Sequence, residues 1–135
     1  MPDDLQGAGR LPKSATAKNV GHPPRKVRRV TDAIKGRSVN EALAILKFLP
    51  NAPARDVYTV LKSAAANWEN YHDVDPDQLW VINAIANEGF KLKRFRARSH
   101  GRSSRIMRRS THITVTVSDN PADIPYGARN AAKRH

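Results

Sequence analysis

Residues 91–117, KLKRFRARSHGRSSRIMRRSTHITVTV, carry nine arginines and lysines and not one carboxylate, contain no proline, and end in strict alternation of apolar and polar side chains. No other feature narrows the possible folds so far. Period-two alternation is the signature of a strand with one buried face. The basic part of the segment cannot share that core, because like charges repel one another in a compact state. One end is therefore a sheet strand, and the rest must project to where something outside the chain neutralises it.

The 135 residues suffice for one domain with a modest core: 39% are apolar, below the globular average, and the net charge is +12. That charge is unevenly placed. Nine basic residues face one acid between Leu5 and Arg37, three face seven between Ser38 and Glu88, and nine face none between Gly89 and Val117. Two basic segments flanking a mildly acidic middle make a footprint rather than a uniform coat. Nucleic acid and anionic membrane are the polyanions that suit it. The absence of cysteine excludes disulfides and thiolate metal sites. The opening MPDDLQGAGRLPKSATAK lacks the apolar stretch of a secretory signal, and no run of about 18 apolar residues occurs, so the expected location is the cytoplasm.

Residues 1–14 read as a mobile N-terminal arm, and SATAKNVG as an edge strand. HPPRKVRRVTDAIKG predicts a first helix, with Pro24 in its first turn, Val27, Val30 and Ile34 at helical spacing, and Gly36 as its stop. Ser38 and Glu41 spell a capping box for a second helix, whose apolar face is expected from Ala42, Leu43, Ile45, Leu46, Phe48 and Leu49 before Pro50 ends it. A third helix, from about Pro53 to Tyr71, repeats Val57, Val60, Leu61, Ala64, Trp68 and Tyr71 at spacings of three and four. LWVINAIANEGF and THITVTVSD read as strands, the second with Ile113, Val115 and Val117 on its inner face. Pairing them antiparallel makes the basic stretch the distal part of their hairpin, with its turn near His100–Gly101. About ten residues per side would reach on the order of 30 Å. Phe90, Leu92, Phe95, Ile106 and Met107 are too few to give that ribbon a core, and an isolated ribbon is marginal in water. The fold class is thus α+β, three helices on a small antiparallel sheet with a long protruding hairpin.

Arg25, Lys26, Arg28 and Arg29 fall in the first turns of helix one, where the helix dipole disfavours cations. A charge run is ordinarily a solvated helix face. Here the unfavourable position and the second basic segment argue for phosphate contact. HDVDPD resembles the start of a calcium loop but lacks the sixth-place glycine, and Ala84 stands where the twelfth-place glutamate is needed, so it reads as a solvated loop. The histidines have no metal-ligand spacing, and no catalytic constellation or phosphate loop can be made out. No enzyme, metal or cofactor is expected. Arginine outnumbers lysine seven to two in the arm, with Phe95 interleaved, which suits folded RNA. A membrane-surface segment would need a broad apolar face opposite its charges, and the arm has none.

PRKVRRVTDAIKGRSVNEALAILKFLP, VLKSAAANWENYH and KRFRARSHGRSSRIMRRSTHITVTVSD together resemble bacterial ribosomal protein twenty-two of the large subunit. The specific part is Gly101, Arg102, Arg105, Ile106, Arg109, His112, Ile113, Thr114 and Val115 in that order, and the similarity runs from about Ala15 to Asp119. Ala97 departs from a proline common in the family, and His100 from a lysine. The resemblance implies a domain at the mouth of the peptide tunnel, with a hairpin passing through ribosomal RNA and its tip lining the tunnel near the macrolide site. Its implied partners are large-subunit RNA, neighbouring large-subunit proteins, the nascent peptide and nearby macrolides, with no membrane. Charge and resemblance together place Lys18, Arg25, Lys26, Arg28, Arg29, Lys35 and Arg37 on RNA from the first segment. From the second come Lys91, Lys93, Arg94, Arg96, Arg98, His100, Arg102, Arg105, Arg108 and Arg109. Carried over by position, the tunnel-lining tip lies within 92–105, with Leu92, Lys93, Arg94, Ala97, Arg98, Gly101 and Arg102 exposed to the tunnel. The resemblance spans the domain at 15–119, with the hairpin at about 80–118, and leaves 120–135 as a basic tail. The alternative is a DNA-bending protein with basic β-arms, a class that usually dimerises and carries a proline at the arm tip, which this arm lacks.

Overall fold

The computed structural model describes residues 11–72, 78–97, 99–101, 103–120 and 124, with the backbone alone for 103–106. Residues 1–10 of the expected arm, 73–77 of the acidic loop, Arg98, Arg102, the side chains of Arg105 and Ile106, and nearly all of the tail lie outside it. The elements run β1 (Lys13–Val20), α1 (Pro24–Ile34), α2 (Val39–Phe48), α3 (Ala54–His72), β2 (Trp80–Glu88), β3 (Leu92–Ala97), β4 (Ser103–Arg108) and β5 (Thr111–Ser118). The α+β class holds, and the first strand starts at Lys13, inside the segment read as an arm. Ile124, inside the segment read as a tail, is buried.

Strand β5 lies between β1 and β2, antiparallel to both. Its Ile113, Val115 and Val117 are fully buried. Their cross-strand neighbours on the same face are small where helices approach: Ala15 and Ala84 flank Val115, and Ala17 and Ala86 flank Ile113. Large side chains on the middle strand with alanines beside them leave a trough, and α3 packs across β1 and β5 there. Trp68, Leu61 and Ala64 of α3 are fully buried, and α1 seals the β2 side with Val27, Val30 and Ile34. The outward edge of β2 is not left open. Gly36 N–H donates to Val81 O (2.8 Å), Val81 N–H to Arg37 O (2.8 Å) and Val39 N–H to Leu79 O (2.9 Å), so the α1–α2 connection covers the edge against pairing with another chain. Gly36 permits this at φ 79°, a left-handed conformation that follows a helix end at little cost only in glycine.

Two expected core residues are surface residues. Phe48 is 82% exposed and Tyr71 64%, each in the last turn of its helix, where the helix has outrun its partner. Tyr71 instead receives the Lys13 ammonium over its ring, 3.1 Å from the centroid, which ties β1 to α3. The capping box is half formed. Glu41 N–H donates to Ser38 Oγ (3.3 Å), while the Glu41 carboxylate accepts from Arg37 Nη1 (2.6 Å).

Candidate nucleic-acid interface

Strands β3 and β4 continue the chains of β2 and β5 but pair only with each other. Their register runs from Leu92↔Arg108 to Ala97↔Ser103 and closes on the turn Ser99–Gly101, with His100 at φ 63° and Gly101 at φ 69°. The turn is where the sequence puts it. The ladder itself is six residues long per strand, roughly 20 Å, within an arm that runs from Gly89 to this turn. Leu92, Lys93 and Arg94 consequently sit at the root of the arm, and of the expected tip residues only Ala97 and Gly101 fall at the described turn.

Register also fixes which residues share a face. Leu92, Arg94 and Arg96 point one way together with Arg108, and Lys93, Phe95 and Ala97 point the other way with Met107. Every one of these is exposed. Both faces carry cations, so neither can lie on an apolar core. Among the described residues the arm has no buried side.

At the root, three residues, Gly89 to Lys91, oppose two, Arg109 and Ser110, between the last pair of the stem (Glu88↔Thr111) and the first of the arm. Such a bulge bends and twists a ribbon, and here it separates the arm from the three-stranded sheet. Gly89 N–H donates to Ser110 O (2.9 Å), and the Ser110 hydroxyl donates to Phe90 O. A Cβ on Gly89 would lie 2.7 Å from Ser110 Oγ and 3.3 Å from the Ser110 carbonyl carbon, so glycine lets the strands come this close without moving the Ser110 hydroxyl from Phe90 O. The β1–α1 connection is fastened to the same spot: Asn19 N–H donates to His112 Nδ1 (3.1 Å) and Thr111 Oγ1 to His22 O (2.6 Å).

These bonds bring the two basic segments together. A cleft of about 650 Å³ opens between Asn19, Gly21 and Pro23 on one side and Phe90, Arg94 and Arg108 on the other, and no acidic residue among the described ones lines it. Pro23 caps α1, whose N-terminus has no side-chain cap and no acidic residue in its first turn. Arg25, Lys26, Arg28 and Arg29 extend from there, all exposed, and Lys18 is exposed on β1. Among the described residues these five, with Lys93, Arg94, Arg96, Arg108 and Arg109, have no carboxylate partner. Three expected contacts do. Lys35 pairs with Asp32 (3.3 Å) and Lys91 with Glu88 (3.4 Å). Arg37, its side chain only 14% exposed, is held by Glu41 and by Ala33 O, so it braces the helix junction. His100 is exposed at the turn. Phe90 and Gly89 escaped sequence reasoning, although a glycine between two strand patterns signals a bulge or close approach.

Residues 15–118, the domain without its ends, match the family "Ribosomal protein L22p/L17e". The chain belongs to that family. It is 52% identical over 122 residues, 90% of this chain and 100% of the other, to "Large ribosomal subunit protein uL22" of Latilactobacillus sakei subsp. sakei (strain 23K). Membership makes the chain a structural, non-enzymatic ribosomal component and selects the ribosomal reading over the DNA-bending one. No helix among the described residues is long and apolar enough to cross a membrane, and no group of potential ligand side chains among them could hold a metal ion.

Proposed function

We propose that this chain, a structural constituent of the large ribosomal subunit, binds large-subunit ribosomal RNA through the start of α1 and both faces of the β3–β4 arm. The observation that carries this reading is that the connection leading into the basic start of α1 and the basic root of the arm wall one cleft, with no acidic residue among its described lining. Phosphate contacts there position the protein without reading sequence, as backbone contacts generally do. An arm with cations on both faces requires polyanion on both sides, so the RNA surrounds it and helps the subunit assemble. Neighbouring large-subunit proteins pack against the remaining surface. The turn around Ala97, His100 and Gly101, a stretch whose sequence also contains Arg98 and Arg102, then lines the nascent-peptide exit tunnel near the macrolide site.

The test exchanges residues 97–103 for Asn-Gly, a two-residue turn that closes the ladder at Arg96 and Ser104. Subunits reconstituted with this protein should show unchanged occupancy, because the root contacts remain. Translation of tunnel-sensitive peptides, with and without a macrolide, should change. Failed incorporation would make the turn an assembly anchor and contradict its role as tunnel lining.

A further inference from the structure

Phe90 is 68% exposed, yet the backbone on either side of it is held still. Gly89 N–H is bonded to Ser110 O, and Phe90 O accepts the Ser110 hydroxyl. A large aromatic ring presented to solvent on a pinned backbone gains nothing for folding. It stands in the wall of the acid-free cleft, where Leu92 adds apolar surface and shares a ribbon face with Arg94 and Arg108. Arg109 and the uncapped start of α1 at Pro23 complete the rim. At about 650 Å³ the cleft has the size of ordinary small-molecule sites. The larger cleft between α2 and α3, about 1030 Å³, contains Asp56 and does not share this acid-free character.

We propose that the root cleft receives a single unstacked nucleotide of the ribosomal RNA, its base against the Phe90 ring and its phosphates on Arg94, Arg108 and Arg109. A ring offers every base a π-face, and arginine forks close on phosphate oxygens. Splayed nucleotides are what proteins recognise in folded RNA, since paired bases are hidden in a narrow groove. The cleft thereby sets the rotational position of the arm, which phosphate contacts alone leave loose. This rests on the proposed RNA binding, and the two are separated by the following experiment.

Full-length protein, Phe90→Leu and Phe90→Tyr are titrated with large-subunit ribosomal RNA at several salt concentrations, and the bound RNA is probed base by base with a chemical modifier. Phe90→Leu should weaken binding roughly five- to hundredfold, the range for losing one stacked base, without altering the salt slope, and Phe90→Tyr should restore it. One nucleotide should change reactivity on binding and revert with Phe90→Leu. Wild-type-like affinity and an unchanged probing pattern for Phe90→Leu, with the wild-type salt slope still steep, would overturn the nucleotide site and leave RNA binding intact. So would normal RNA binding with loss of a neighbouring protein from reconstituted subunits, which would make the cleft a protein-docking site. A shallow wild-type slope would instead contradict RNA binding itself.

Discussion

The stem and the arm are two halves of one antiparallel ribbon, and they are built on opposite terms. In the stem, β5 turns Ile113, Val115 and Val117 into the core, and β2 answers with Val81, Ala84 and Ala86. One residue beyond the stem the pattern stops. After the Gly89 bulge neither face of the ribbon is apolar, and every described residue of β3 is exposed. The β2–β5 and β3–β4 pairings are both antiparallel ladders, so strand pairing as such is not what distinguishes the halves. Burial is. The stem is held by hydrophobic area removed from water, whereas the described residues of the arm have a defined register but no buried side chain among them. A region of this kind is completed by its partner. The bulge lets one half be fixed by the protein while the other is left, on the proposed function, to be held by RNA.

The comparison is sharpest where the core is injured. Leu61→Ala or Leu46→Ala should lower stability by about 2–5 kcal/mol in urea unfolding, because each removes buried methyl groups and leaves a cavity. A loss under about 1 kcal/mol would mean that the helices are loosely packed. Next comes the boundary. Gly89→Ala forces a Cβ toward Ser110 Oγ and should cost about 1–3 kcal/mol. Adding Ser110→Ala should recover part of that, and strictly additive losses in the double-mutant cycle would show that the close approach is not the cause. Ser38→Ala removes the α2 cap and should cost about 1 kcal/mol. Smallest is the arm: Arg96→Ala should alter stability by less than about 0.5 kcal/mol, as expected of an exposed site. A loss comparable to Leu61→Ala would erase the distinction between the halves.

How much of this could be read from the sequence follows the same boundary. Alternation in THITVTVSD located β5 and its buried face, and pairing it antiparallel with the preceding strand pattern located the turn near His100–Gly101, because both depend on local order alone. Phe48 and Tyr71 misled because helical periodicity tells which face an element presents, not how far along its neighbour reaches. Glu41 is claimed by Arg37 as well as by the cap, a competition visible only once α1 and α2 meet at their shared corner. The cleft was hidden for the same reason. Its walls come from Asn19–Pro23 and Phe90–Arg94 with Arg108, segments joined by hydrogen bonds across most of the chain. Charge marked the two segments; only the fold showed that the connection into α1 and the arm's root wall one cleft.

The central claim is that RNA phosphate neutralises the arm and the start of α1 together. The most direct test is the salt dependence of full-length protein binding to large-subunit ribosomal RNA. Neutralising six to ten phosphates should give a slope of log affinity against log salt of about −5 to −9. A slope near −1 would mean that one or two contacts dominate, and that the two basic segments do not bind RNA as a unit.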